Sequence, residues 1–237
     1  MALRDEIRTL QDRIVLQLED VYHFDAHTLW AYQEIKELRQ SNPGGSVTTA
    51  IGSKHSTEEI LSFLDHYKNE YLHALAFQHT VALFEAFIFD FARLILINQP
   101  RLLSGSKKID VEVIIKYHDY KSLILFLADK ELNELKYAKV ADWFSYIDKL
   151  MHLGCPTEDE IERFAEIKAS RDILVHNSAR VNSIYLMKAG NQVRYSEGEK
   201  LDIPFRYFRL SWLLIKKMIN DISESAQKRL AKEPKAV

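Results

Sequence analysis

The chain has 237 residues, 47% of them hydrophobic, with only 7 glycines and 5 prolines. That is enough apolar mass for one large domain and too little Gly and Pro for a loop-rich or low-complexity protein. A formal net charge of −2 and a sequence pI of about 6.5 exclude the broad basic surplus of a constitutive nucleic-acid coat, so any such contact must be local. The single Cys155 excludes an intramolecular disulfide and a cysteine-based zinc site.

The N-terminal stretch Met1-Ala2-Leu3-Arg4-Asp5-Glu6 is charged and lacks a signal-peptide core, so the expected location is the cytoplasm. Ile7, Leu10, Ile14, Leu18 and Val21 recur at helical spacing, which predicts a helix or a broken helix pair over residues 3–40. Residues 41–57 contain Asn-Pro-Gly-Gly-Ser and few large side chains, and read as a loop or linker. Residues 1–40 then form an N-terminal helical arm, packing on the main body or on a partner. His23 and His27 stand at i, i+4 around Asp25, a spacing that can bind a metal. No third ligand is marked in sequence, so a surface pair is expected and no metal or other cofactor is assigned.

Ser56 with Glu59 fits a capping box and opens the main helical domain, residues 58–231. The helical pattern runs on to about Asn98, too long for a typical globular helix, so a bend or break is expected near His66 to Tyr71. From Phe77 to Ile97 the pattern is apolar nearly all round, with Phe84, Phe87, Phe89 and Phe91 pointing in several directions. Such a helix belongs at the centre of its fold. Glu85, Asp90 and Arg93 make it too polar for a membrane span, and no membrane association is expected. Pro100 and Ser104-Gly105-Ser106 close it.

Shorter helices are predicted at about 110–117, 119–129 and 131–152, the last carrying Trp143, Phe144, Ile147 and Leu150 and stopped by Gly154. Residues 184–195, around Gly190-Asn191, read as a small β-hairpin. A final helix spans about Phe205 to Leu230 with a stripe of Phe208, Trp212, Ile215 and Ile219, and the tail 232–237 is expected to fray. The chain has no Walker-type or Rossmann-type glycine loop, so nucleotide binding by those routes is not expected. The expected class is all-α.

The most informative helix opens at Pro156-Thr157-Glu158-Asp159-Glu160, whose acidic residues suit a first turn, and ends near His176-Asn177. Ile161, Phe164, Ile167 and Leu174 share one face, and Arg171 falls on the same stripe. A buried unpaired charge costs several kcal/mol. Arg171 must therefore have a carboxylate partner, or face a cleft or a second subunit. Glu85, which interrupts the apolar helix, is the plausible partner in a purely structural ion pair. Glu162 and Glu166 read as solvated. His176 sits in a last turn, where the dipole favours it, and Asn177 fits a C-terminal cap. Five residues turn the helix by about 500°. Arg171 and His176 therefore converge only through the arginine's length, unwinding of the helix end, or a copy from another chain.

The run Arg171-Asp172-Ile173-Leu174-Val175-His176-Asn177, followed by Val181-Asn182 and Tyr185-Leu186, resembles the R-x4-6-H motif and the longer signature of HEPN domains. Ala82-Leu83-Phe84-Glu85-Ala86-Phe87 is similar to an earlier core helix of the same domains, and the likeness covers about residues 60–225. Two departures stand out: the residue after the arginine is usually asparagine and is Asp172 here, and a glycine often follows where this chain has Ser178-Ala179-Arg180. The resemblance implies a HEPN-like helical bundle and a metal-independent endoribonuclease, a toxin or defence effector, with a composite site in a homodimer. It implies His176 for acid/base work and Arg171 for phosphate stabilisation, with Asp172 or Asn177 orienting them and Arg180, Lys168 and Arg163 as RNA contacts. The alternative is an inactive module that dimerises or binds a protein partner such as an antitoxin or a nucleotidyltransferase; retention of both Arg171 and His176 favours the nuclease.

Overall fold

The computed structural model describes residues 2–42, 44–48, 52–103 and 109–232. Helix α1 runs unbroken from Leu3 to Ser41. Its first two-thirds place Ile7, Leu10, Ile14, Leu18, Val21 and Asp25 in the interior, against α3 (His73–Asn98) and α9 (Phe205–Lys232). The segment read as a loop contains a short antiparallel pair, β1 (Ser46–Thr48) and β2 (Lys54–Ser56), with Ser46 opposite Ser56. Residues 43 and 49–51 of that segment lie outside the described residues.

The predicted capping box starts α2 (Thr57–Tyr67): Ser56 N–H donates to Glu59 at 2.8 Å, and Glu59 N–H to Ser56 Oγ at 3.2 Å. The break expected near His66 to Tyr71 is a five-residue π-helical turn, Lys68–Leu72, leading into α3. There His73 Nδ1 lies 2.8 Å from the fully buried Asp25 carboxylate. Asp25 thus faces inward, while His23 and His27 stack outside with ring centres 5.8 Å apart. Among the described residues no group of three His, Cys, Asp or Glu side chains is placed to hold a metal.

α3 is the central helix, as its all-round apolarity predicts. Phe77, Phe84, Phe87 and Phe91 are fully buried, and Phe84 meets Phe164 edge-on at 4.5 Å. A 3-10 turn at Pro100–Leu102 follows it, and Ser104-Gly105-Ser106 lies outside the described residues. Then come α4 (Val111–Lys116), α5 (Tyr120–Lys136) and α6 (Val140–Met151). The α5–α6 boundary falls at 137–139 rather than 129–131, because Ile124, Ala128 and Leu132 continue one buried stripe. His152 (φ 46°) and Gly154 (φ 66°) turn the chain after α6.

α7 spans Glu158–His176, as predicted. The hairpin expected at 184–195 is instead α8 (Ser183–Ala189) and a 3-10 turn at Gly190–Gln192. Asn182 caps α8 by accepting Tyr185 N–H at 3.0 Å, and Tyr185 and Ala189 bury one helical face. The turn signal at Gly190 marks a helix end rather than a strand reversal. α9 buries Phe208, Trp212, Ile215 and Ile219; of the tail 232–237 expected to fray, Lys232 is still helical and residues 233–237 lie outside the described residues. The fold is all-α. No helix among the described residues is long and apolar enough to cross a membrane.

Candidate functional site

α7 presents its charged residues by a well-anchored start. Thr157 caps it, with its backbone N–H donating to Glu160 Oε2 at 2.8 Å. Lys217 on α9 also donates to Glu160, at 2.7 Å. Burial acts on the Glu160 carboxyl to raise its pKa, but the Lys217 and Thr157 hydrogen bonds prevail and hold it below the usual value of 4.5.

Two turns further on, α7 meets Glu85 of α3. Arg171 donates from Nη2 to Glu85 and from Nη1 to Asp172 at 3.1 Å. Lys168 lies 3.1 Å from Glu85 and 3.2 Å from Asp172, with its ammonium 5.5 Å from the centre of the Trp143 ring. Lys188 on α8, which the sequence did not single out, adds a third cation at 3.2 Å from Asp172. The Arg171, Glu85 and Asp172 side chains are only 18–20% exposed. Arg171 therefore has the carboxylate partner its place on the apolar stripe demanded. The cluster holds three cations and two carboxylates.

The end of α7 forms a separate group. His176 is exposed, and its ring makes no hydrogen bond or ion pair among the described residues. Asn177 closes the helix and donates from Nδ2 to the Arg180 carbonyl. Ser178 (φ 50°) and Ala179 (φ 60°) take the left-handed conformation, where the resembling family often has glycine. Ala179 N–H returns to the Ile173 carbonyl at 3.1 Å, and residues 179–181 then pair with 198–201. Arg180 Nη1 donates to the Gly198 carbonyl at 3.2 Å. Within one subunit His176 lies about 140° round the helix from Arg171, so a single α7 does not bring the two together. Arg163 stands farther off, about 20 Å along α7 from His176 at 1.5 Å per residue, and pairs with Asp159 at 3.7 Å.

Glu166 is not solvated. It is 3% exposed and accepts hydrogen bonds from Ser170 Oγ (2.6 Å), Tyr185 Oη (2.9 Å), Arg194 Nε (2.9 Å) and Tyr207 Oη. The Arg194 guanidinium stacks on the Tyr207 ring at 3.4 Å. Burial, and then the neighbouring carboxylate, raise the Tyr185 and Tyr207 hydroxyls above their ordinary pKa. The apolar stripe gave no sign of this second buried face. The small Ala169 and fully buried Ser170 are its only local signal. Asn182 and Tyr185, part of the longer signature, thus serve as a helix cap and as a ligand of Glu166.

No family model, curated protein or solved structure matches this chain. The likeness to HEPN domains rests on the residues quoted for it.

Three apolar side chains are exposed near the end of α7 and on α8. Val175, Ile184 and Met187 are 48%, 55% and 70% exposed, flanking His176 on α7 and lying on the outer face of α8.

Proposed function

We propose that the protein is a metal-independent endoribonuclease of HEPN type, completed when a second copy apposes its α7 end to the first. The observation that carries this reading is an unpartnered, exposed imidazole on the same helix as a cation cluster with one more positive charge than negative. RNA supplies its own nucleophile, the 2′-hydroxyl. One His176 takes that proton as O2′ bonds to phosphorus, and the other copy's His176 protonates O5′ as the P–O5′ bond breaks. The products are a 2′,3′-cyclic phosphate and a 5′-hydroxyl. Arg171 meets the developing charge by exchanging its Asp172 contact for a phosphate oxygen; Lys168 and Lys188 hold Asp172 aside as it does so. Asn177 sets the helix end, and Arg180, three residues beyond it, supplies a further phosphate contact. This reading places the protein in the cytoplasm with RNA, as a toxin or defence effector.

A second reading is an inactive dimerisation or protein-binding module, with an antitoxin or nucleotidyltransferase-type partner. One observation favours it: Arg171 is ion-paired on both sides within a single subunit. RNA cleavage in EDTA separates the two. The nuclease cleaves, and both Arg171→Ala and His176→Ala lose the activity. Cleavage that survives in either variant rejects this site, and a parent that leaves RNA intact supports the module.

A further inference from the structure

Helix α1 carries a repeat that outruns its own fold. Ile7, Ile14, Val21, Thr28 and Ile35 recur every seven residues, and Leu10, Gln17, Phe24, Ala31 and Leu38 follow each by three. That alternation of three and four is the a/d pattern of a coiled-coil seam. The chain itself consumes the first part: Ile7, Leu10, Ile14 and Val21 are buried against α3 and α9. From Phe24 onward the seam is open at Phe24, Ile35 and Leu38, 65%, 39% and 64% exposed, with Thr28 and Ala31 half-buried between them. Helix α2 leaves Phe24 and Leu38 open. α2 is tied to another face by Lys36 and Asp65 at 2.9 Å. Lys36 lies about 140° round the helix from the Phe24–Ala31–Leu38 line.

We propose that this open seam is a parallel dimer contact with a second copy of the chain. The occupant follows from the flanking charges. In a parallel two-stranded coiled coil a g residue faces the e residue five positions on in the partner strand. Glu34 is at g and Arg39 at the following e, and neither forms an ion pair or hydrogen bond among the described residues. Two copies in parallel therefore set Glu34 against Arg39 twice. An antiparallel pairing over Phe24–Leu38 sets Glu34 at g against His27 or against itself and leaves Tyr32, not Arg39, facing across at e, so it forms no Glu34–Arg39 pair. The preceding pair, His27 and Tyr32, brings no conflict of like charge. Branched Thr28 and Ile35 at a suit two strands.

Length sets the strength. Phe24 to Leu38 extends only about 22 Å at 1.5 Å per residue, and buries less than the ~800 Å² per partner of a standard interface. The dimer is therefore weak and concentration-dependent, in roughly the micromolar range or weaker. It is a second contact beside the α7 apposition of the ribonuclease reading, so the oligomer is measured with Met187→Asp on α8, which disables pairing of the α7 ends.

Sedimentation of the full chain from about 1 to 500 µM tests this range. The parent shifts from monomer to dimer, and Phe24→Asp/Leu38→Asp stays monomeric with unchanged helicity, since both side chains are exposed. Glu34→Arg weakens the dimer at least several-fold, and adding Arg39→Glu restores it. In a Cys155→Ser background, Ile35→Cys cross-links with itself across the parallel seam and Gln33→Cys, on the outer face, does not. A parent that is monomeric throughout overturns the proposal. So does a dimer indifferent to Phe24→Asp/Leu38→Asp in the Met187→Asp background, and so does equal cross-linking at positions 33 and 35.

Discussion

Two carboxylate centres lie on opposite sides of α7, and they differ in how fully their charge is spent. Glu166 is 3% exposed, and every neighbour is a donor aimed at it, from Ser170, Tyr185, Arg194 and Tyr207. The Glu85–Asp172 pair is 18–20% exposed and outnumbered by Arg171, Lys168 and Lys188. A buried, saturated centre has no alternative partner and serves to fix structure. A part-exposed centre with surplus cations can exchange a carboxylate contact for a phosphate at little cost, because the released carboxylate keeps two other partners. Burial alone does not mark a functional ion cluster; the mismatch between donors and acceptors does.

The sharpest way to break that comparison is at His176. Replacing it with alanine should lower metal-free RNA cleavage by about 10²–10⁴-fold, the usual contribution of a positioned acid or base. Stability in urea should stay within about 0.5 kcal/mol, as for other exposed positions. The next effect is reciprocal. Glu166→Ala leaves Arg194 and two phenols facing an empty buried site and should cost about 3–5 kcal/mol. Glu85→Ala should cost only about 1–2 kcal/mol, since Arg171 retains Asp172. The midpoints of urea unfolding for the two variants check the order, and a reversed order removes the distinction.

Alkali should also separate the centres. Burial and Glu166 raise the Tyr185 and Tyr207 hydroxyls above their ordinary value of 10. A group whose folded pKa is raised stabilises fully below its unfolded value and loses that contribution as pH rises through the folded one. Stability should therefore hold up to about pH 10 and fall above it. Tyr207→Phe should begin from a lower stability and fall less steeply, because one of the two shifted hydroxyls at the Glu166 centre is gone; Tyr146 and Tyr195, raised elsewhere, contribute equally to both proteins. Urea midpoints taken across alkaline pH measure both. An equal alkaline slope in the parent and Tyr207→Phe would falsify the assignment of that loss to the Glu166 centre.

What the sequence made legible was local. The Ser56 box, both ends of α7 and the central place of α3 follow from signals a few residues apart. The Arg171–Glu85 pair was also accessible, because an arginine on an apolar stripe and a glutamate in an apolar helix each required a partner. Glu166 was not, because Tyr185, Arg194 and Tyr207 arrive from 19, 28 and 41 residues away, and a glutamate in a charged run looks solvated. Lys188 was missed with α8 itself: Gly190 suggested a hairpin, but the Asn182 cap and the burial of Tyr185 and Ala189 favour a helix. At the end of α7, Ser178 and Ala179 take the left-handed backbone that glycine adopts without strain, which nothing in the residue types announces.

That turn yields the smallest effect, and it tests the conformation that leaves His176 in solvent. Left-handed backbone costs a residue with a Cβ roughly 1–2 kcal/mol, and glycine almost nothing. Ser178 is exposed at φ 50°, so Ser178→Gly loses no packing and should stabilise by about 0.5–1 kcal/mol after glycine's greater unfolded freedom is counted. Ala179, at φ 60°, is buried, and its methyl contributes about 0.8 kcal/mol. Ala179→Gly should therefore come out near zero. Adjacent substitutions of the same kind thus differ by close to one buried methyl, which thermal or urea unfolding resolves. Destabilisation by Ser178→Gly would mean that α7 does not end in this left-handed turn. Arg180 would then not reach the Gly198 carbonyl, and the separation of His176 from the Arg171 cluster within one subunit would have to be redrawn.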